Sequence, residues 1–352
     1  MTALRDAGFA VAASDTRPPL RIGVLGTGRI GRMHAELLLR EVPGATVVVV
    51  ADAAPDVAQR VGAGLGVEVA GSIDEVLGSP DVDAVAICTS TDTHVDLVVA
   101  AAKAGKAIFC EKPVSLDLAA VDRALDAVDA ADVPFVVGFN RRFDPGHASV
   151  RAAVESGALG ELHLLRITSR DPSPPPPEYV AVSGGIFLDM TIHDFDMARF
   201  VVGSEVVDVV ARGAVRIDPR IGAAGDVDTA VTVLTHADGT ITTIDNSRQA
   251  VYGFDQRIEA FGALGMAVSG NPARHAGWLR TAEQTVSQPL PWFFLDRYLP
   301  SYRNEWAAFV SHVRDGGPAP VDADAARAPV VIGLAATRSL REGRPVAVTE
   351  IR

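Results

Sequence analysis

The feature that most constrains this chain is a glycine pattern, Gly26-x-Gly28-x-x-Gly31, set between two apolar stretches. Leu20 to Leu25 reads as a buried strand, and Met33 to Leu39 carries apolar residues at helical spacing. At such a junction the first glycine permits a tight turn. The second leaves room for a pyrophosphate, and the third lets the helix pack closely on the strand. The helix start then offers free N–H groups and the positive end of its dipole to phosphate. The glycines alone are a weak signal. Here Asp52 lies 21 residues after Gly31, at the end of the β-branched run Val47 to Val50. A carboxylate there accepts hydrogen bonds from the ribose hydroxyls of a dinucleotide. It also repels a 2′-phosphate, and Ala53 and Ala54 bring no cation. The expected cofactor is therefore NAD rather than NADP. Gly26, Thr27, Gly28, Arg29, Ile30 and Gly31 form the expected pyrophosphate turn, although Arg29 reads equally well as a solvated arginine.

Beyond the turn, strands and helices alternate. Val82 to Ile87, Ala107 to Cys110 and Phe135 to Phe139 read as strands; Asp96 to Ala104 and Asp117 to Ala131 read as helices. This alternation predicts a doubly wound parallel sheet. After Phe139 to Asp144 the pattern changes. His163 to Thr168, Glu205 to Val215, Asp228 to His236, Thr240 to Asn246 and Arg257 to Phe261 are strand-like, several with only a turn between them. That spacing predicts an antiparallel or mixed sheet with helices on one face. Pro172 to Pro177 reads as a loop, and Asn304 to Val313 and Ala325 to Glu342 as helices. The expected division is a leader over 1–19, a Rossmann domain over 20–140 and a substrate and oligomerisation domain over 141–352.

With 32 basic and 44 acidic residues the formal net charge is −12, so non-specific nucleic-acid binding is not expected. No apolar run reaches the roughly 18 residues of a membrane span. Cys88 and Cys110, the two cysteines, lie in apolar runs and read as buried free thiols in a cytoplasmic protein. No Cys or His spacing suggests a metal site. The first twenty residues lack the basic start of a secretory signal and read as a disordered leader.

Two constellations carry chemistry. Glu111-Lys112-Pro113 follows a parallel strand at its C-terminal end, the edge where such sheets bind ligands. Lys112 there can hydrogen-bond a substrate hydroxyl and favour its alkoxide character, and Pro113 can accommodate a cis bond. Asp189 and His193 are four apart, so on one continuous helix they share a face. A carboxylate beside an imidazole suits the removal of a hydroxyl proton as hydride leaves. Taken alone, such a pair is more often structural.

In this order, Gly26-x-Gly28-x-x-Gly31-x-x-His34, Glu111-Lys112-Pro113 and Asp189-x-x-x-His193 resemble the Gfo/Idh/MocA oxidoreductases from residue 20 to the C-terminus. Asn140-Arg141-Arg142-Phe143-Asp144, Ser169-Arg170-Asp171-Pro172 and Tyr252-Gly253-Phe254-Asp255 are similar to its inositol-oxidising branch. The resemblance implies an N-terminal Rossmann domain and a C-terminal α/β domain on a mostly antiparallel, open-faced sheet. It implies Lys112, Asp189 and His193 as the catalytic set, with Asp189 orienting His193. It makes Asn140, Arg141, Asp171 and Tyr252 substrate contacts, alongside the catalytic three. Thr89, Ser90, Thr91, His94, Glu111 and Lys112 would line the cofactor, although many relatives carry Pro or Asn in the 89–94 segment. Ser169 stands where some inositol enzymes have His, which leaves the polyol open. The implied activity is NAD-dependent oxidation of a cyclic polyol, foremost myo-inositol, in a homo-oligomer, most often a tetramer. Another sugar or anhydrosugar is the nearest alternative, and a non-catalytic dinucleotide sensor is the rival of a different class.

Overall fold

The computed structural model describes residues 17–352, so the leader expectation, apart from its last three residues, falls outside the described residues. Six parallel strands form the first sheet: β1 (Leu20–Leu25), β2 (Ala45–Ala51), β3 (Glu68–Val69), β4 (Ala84–Ile87), β5 (Ala107–Glu111) and β6 (Phe135–Gly138). Their order is β3-β2-β1-β4-β5-β6. The crossover helices are α1 (Arg29–Arg40), α2 (Pro55–Leu65), α3 (Ile73–Gly78), α4 (Thr91–Lys103) and α5 (Leu118–Ala131). Helices cover both faces, so the strands are apolar throughout rather than alternating. Ile22, Val24, Leu25, Val85 and Ile108 are fully buried, each stabilising the sheet by roughly 1.5–3 kcal/mol. The strand order reverses between β1 and β4. This opens the crevice where such sheets bind ligands.

A 3-10 turn, Asn140–Phe143, and α6 (Pro145–Glu155) lead into the second sheet. It is built from β7 (Leu162–Arg170), β8 (Val206–Ala214), β9 (Thr229–His236), β10 (Ile241–Ser247), β11 (Asp255–Gly262) and β12 (Gly265–Ser269). A short closing strand, β15 (Val346–Ala347), completes the order β12-β11-β7-β10-β9-β8-β15. Only the β7–β10 pair is parallel, so the sheet is mixed, as the short connections suggested. Between β7 and β8 run α7 (Pro177–Val180), α8 (Gly185–Asp189) and α9 (Ile192–Val202), and α10 (Pro219–Ala223) precedes β9. A small exposed hairpin, β13 (Trp278–Arg280) with β14 (Thr285–Ser287), stands apart. Burial alternates along the sheet. Ile167, Leu234, Ile244 and Ile258 face a core shared with Phe195, Val201, Ile332 and Ala335. Leu164, Val231, Ile241 and Phe261 point the other way and are exposed.

Two helices close the chain, α11 (Phe294–Asp315) and α12 (Ala323–Glu342). Helix α11 begins ten residues before the expected Asn304, with Pro300 inside it. Burial of Tyr298 and Tyr302 against Met33 and Phe254 outweighs the proline's missing donor. Trp306 and Phe309 of α11 pack in the first sheet's core, while α12 contributes to both cores. No disulfide forms among the described residues. Cys110 is buried and Cys88 partly so, and burial pushes both thiols well up from their ordinary range.

Candidate active site

At the crevice the three glycines occupy three different environments. Gly26 has φ +87°, and a Cβ there would meet the Cys88 carbonyl oxygen and the Thr89 nitrogen at 2.7 Å. A Cβ on Gly31 would collide with the Gly26 carbonyl. At Gly28 a Cβ would meet nothing within 4 Å. That open space lies at the N-cap of α1, where the free backbone donors of a twelve-residue helix face outward. Asp52 ends the neighbouring strand. Its carboxylate accepts from the Thr27 N–H (2.6 Å), the Thr27 hydroxyl (2.9 Å) and the Ala54 N–H (2.9 Å). Burial works to raise its pKa, but the hydrogen bonds from Ala54 and Thr27 prevail and hold it below the usual carboxylate range. The open cradle and the fixed carboxylate fit an NAD-sized dinucleotide. Arg29 is exposed, and its guanidinium lies 5.3 Å over the Phe293 ring.

Residues 89–94 and 111–113 follow the neighbouring parallel strands β4 and β5 and adjoin one another. Thr89 and Thr93 share a hydroxyl contact of 2.7 Å. His94 is buried, with Nδ1 2.9 Å from the Pro113 carbonyl and Nε2 3.1 Å from the Thr89 carbonyl. Each ring nitrogen thus lies beside a backbone carbonyl of one of the two loops. His94 thereby lies between the two loops that border the crevice. Glu111 also turns inward. Its Oε1 is 2.8 Å from His34 Nε2, and its Oε2 accepts the Lys112 N–H at 3.2 Å. The Lys112–Pro113 peptide is cis. Lys112 reaches across to the second sheet's layer, and its Nζ donates to the Asp189 carbonyl oxygen at 3.0 Å.

Asp189 and His193 do not share one helix. Asp189 ends α8, His193 sits in the first turn of α9, and Met190 and Thr191 lie between them. The Thr191 N–H reaches back five residues to the Ile186 carbonyl at 2.9 Å, a π-type turn that shifts the register. The same-face expectation is therefore corrected. Asp189 Oδ1 accepts from the Tyr179 hydroxyl at 2.9 Å, and Oδ2 from Arg248 at 3.0 Å. His193 Nδ1 is buried with no hydrogen-bond partner among the described residues, so nothing there shows Asp189 orienting it. Burial, then the charges of Lys112 and Arg141, push the His193 pKa well below its ordinary value. At neutral pH the imidazole is therefore in its neutral form, the form that a general base requires.

Arg141 is buried and paired with Asp194 at 2.6 Å, and it donates to Ser169 Oγ at 3.3 Å. Asn140 is buried and donates to Ser301 Oγ at 3.0 Å. Both brace the site from beneath. Asp171 follows β7. Burial raises its carboxyl to about 6; Arg141 and Arg248 pull the other way, while Asp189 and Asp194 add to the rise. Tyr252 is half exposed, donates to Asp255 Oδ2 at 2.7 Å and accepts from Arg170 at 3.1 Å. These bonds tie it to the β7–β11 edge, not to Asp189 or His193. Tyr179, Arg248 and Trp306 escaped the sequence reading. Tyr179 follows a proline-rich loop, and the other two carry no local motif. Among the described residues no group of three His, Cys, Asp or Glu side chains is placed to hold a metal ion.

A Rossmann sheet with a glycine cradle, joined to a neutral histidine and a lysine at the facing layer, defines a dinucleotide-dependent oxidoreductase. The comparisons agree. Residues 20–139 match the oxidoreductase family with NAD-binding Rossmann fold, and residues 147–268 match the GFO/IDH/MocA C-terminal domain. The chain belongs to the Gfo/Idh/MocA family. It is 48% identical to the myo-inositol 2-dehydrogenase of Thermotoga maritima, over 94% of this chain and 99% of that one. It is 44% identical to the inositol 2-dehydrogenase of Rhizobium meliloti, again over 94% and 99%. The crystal structure of a probable dehydrogenase from Thermotoga maritima superposes with a TM-score of 0.93 at 48% identity, covering 95% of this chain and 100% of that one.

Proposed function

We propose that this enzyme oxidises myo-inositol at C2 to 2-keto-myo-inositol (scyllo-inosose). The observation that carries this reading is the buried, neutral and partnerless Nδ1 of His193 beside Lys112. Two relatives of near-equal length bear inositol dehydrogenase names, which supports the same substrate. The cations around the site are already engaged: Arg141 with Asp194, Arg248 with Asp189, and Arg170 with Asp245. Among the described residues these three arginines offer no free cationic pair to a substrate phosphate, which suits a neutral polyol.

The contacts support the following roles. Gly28 and the start of α1 would hold the pyrophosphate, and Asp52 the adenosine ribose. Held there, NAD would supply the acceptor for the hydride of the carbinol carbon. His193 takes the hydroxyl proton as the C–O bond gains double-bond character. Lys112 steadies the developing negative charge on that oxygen. Asp189 and Asp171 accept hydrogen bonds from neighbouring hydroxyls, with Asn140 and Arg141 supporting them from below. Tyr252 lies at the rim. Thr89, Ser90 and Thr91 border the cofactor, and His94 and Glu111 act behind it.

The domains are read as 20–140 and 141–352, with α11 packed into the first core and α12 shared between both. The exposed apolar face of the second sheet, with Leu164, Val231, Ile241 and Phe261, supports self-association as a homotetramer. No helix among the described residues is long and apolar enough to cross a membrane. The unpaired cysteines suit a cytoplasmic location. The test is initial-rate NADH formation with myo-inositol beside scyllo-inositol, glucose, xylose and levoglucosan, each with NAD and NADP. Preference for myo-inositol with NAD is expected. Turnover of a sugar alone would overturn the polyol assignment.

A further inference from the structure

Arg248 follows the last residue of β10, and its side chain is only 1% exposed. A buried guanidinium is costly unless carboxylates and hydrogen bonds compensate it. Here NH1 lies 3.0 Å from Asp189 Oδ2 and NH2 3.5 Å from Asp226 Oδ2, while Nε has no partner among the described residues. Asp226 in turn accepts the Ile186 N–H at 3.1 Å. Gly185, at φ +77°, comes so close that a Cβ would stand 2.9 Å from Asp226 Oδ1. Asp226 thus anchors the start of α8, and Asp189 is its last residue. One buried cation ties the two ends of this five-residue helix together.

We propose that Arg248 is a positioning residue of the polyol site, fixing Asp189 as an acceptor for a substrate hydroxyl rather than as the partner of His193. This rests on the polyol reading above. Arg248 leaves one oxygen of Asp189 for the Tyr179 hydroxyl at 2.9 Å, a contact that a substrate hydroxyl would replace in kind. Lys112 holds the Asp189 backbone carbonyl and completes the clamp. Arg248 also acts on Asp171 through its charge. The groups acting on that carboxyl are Arg141 and Arg248, which favour its ionised form, and Asp189 and Asp194, which oppose it.

The test compares Arg248→Met and Arg248→Lys with the parent enzyme. Its readouts are myo-inositol KM and kcat, the pH profile of kcat/KM, and NADH affinity by fluorescence titration. Arg248→Met is expected to raise KM about tenfold or more. It should also move the acidic limb of the profile upward by about half a pH unit, because Asp171 loses one of its two cations. NADH affinity should stay within about twofold, because Arg248 does not touch the cradle. Arg248→Lys keeps the charge but loses the fork, so the limb should return while KM stays raised. Parental KM and limb in Arg248→Met would overturn the inference. So would a loss of NADH affinity in step with KM, which marks a role in the fold alone. If Arg248→Met does not fold, a parental KM in Arg248→Lys overturns it. Failure of the parent to oxidise any inositol overturns the polyol reading separately, before either variant is measured.

Discussion

The indole N–H of Trp306 donates to His34 Nδ1 at 2.8 Å. Tryptophan can only donate, so that ring nitrogen carries the lone pair and the proton sits on Nε2. Nε2 then donates to Glu111 Oε1, also at 2.8 Å, and the other oxygen of Glu111 accepts the Lys112 N–H. A residue of α11 thereby sets the tautomer of α1's histidine and, through it, the loop that presents Lys112. Trp306→Phe keeps the stacking on Phe109, whose ring centroid lies 4.2 Å away, and removes only the donor. The expected loss is about 1–2 kcal/mol of stability, together with a severalfold drop in kcat at retained NAD affinity. Denaturant unfolding and steady-state kinetics would show it, and an unchanged kcat would disconnect Trp306 from Lys112.

The three glycines should separate folding from cofactor binding. Gly31→Ala places a methyl group against the Gly26 carbonyl, with no side chain able to move aside. Overpacking of this kind costs about 1–3 kcal/mol or more, so its melting temperature should fall. Gly28→Ala meets open space and has an ordinary φ of −62°. It should melt like the parent yet bind NAD at least tenfold more weakly, because the methyl group occupies the ligand's space. Thermal melts beside NADH titrations test this. Equal damage by both substitutions would mean that Gly28 serves the fold and not the ligand.

Asp52 is held by three hydrogen bonds and keeps an ionised carboxylate at the end of β2, the proposed ribose position. Asp52→Ala removes both the acceptor and the repulsion of a 2′-phosphate. With charged hydrogen bonds contributing about 1.5–3 kcal/mol, NAD affinity should fall roughly tenfold or more while NADP affinity holds or improves. The ratio of kcat/KM for the two cofactors is the measurement. An unchanged ratio would move cofactor choice elsewhere in the crevice.

The parallel sheet and its glycine turn were legible because their signals are local: an apolar run, a glycine spacing and an acid one strand later. Asp189 and His193 were legible as residues but not as a geometry. Their spacing fits a helical face, yet the chain breaks register at Met190 and Thr191 so that Asp189 can reach Arg248 and Tyr179. That choice is made by partners 59 and 10 residues away, and no local pattern encodes it. His94 shows the same limit. It stands in the segment that borders the crevice, and its ring lies beside the carbonyls of Pro113 and Thr89, neighbours that no local pattern announces. Helix α11 was read short, from Asn304, whereas the buried tyrosines on either side of Pro300 hold the helix together from Phe294 onward.

Asp171 should link stability to activity in opposite directions. Burial raises its carboxyl to about 6, above the ordinary aspartate value of 3.8. The unfolded chain therefore releases this proton first as pH rises. Between pH 4 and 6 this group makes folding progressively less favourable, and the cost persists in full at pH 7. Asp171→Asn mimics the protonated form and removes that cost. The variant should be more stable than the parent by about 1–3 kcal/mol at pH 7, and the difference should shrink toward zero near pH 4. Turnover should fall at the same time if, as proposed, the ionised carboxylate accepts a substrate hydroxyl. The acidic limb of the parent's rate profile near pH 6 then belongs to Asp171 and not to His193, which is already neutral there. Denaturant midpoints at pH 4 and 7, with the rate profile of the variant, decide the matter. A stability difference independent of pH, or a limb that survives in Asp171→Asn, would assign the titration to another group.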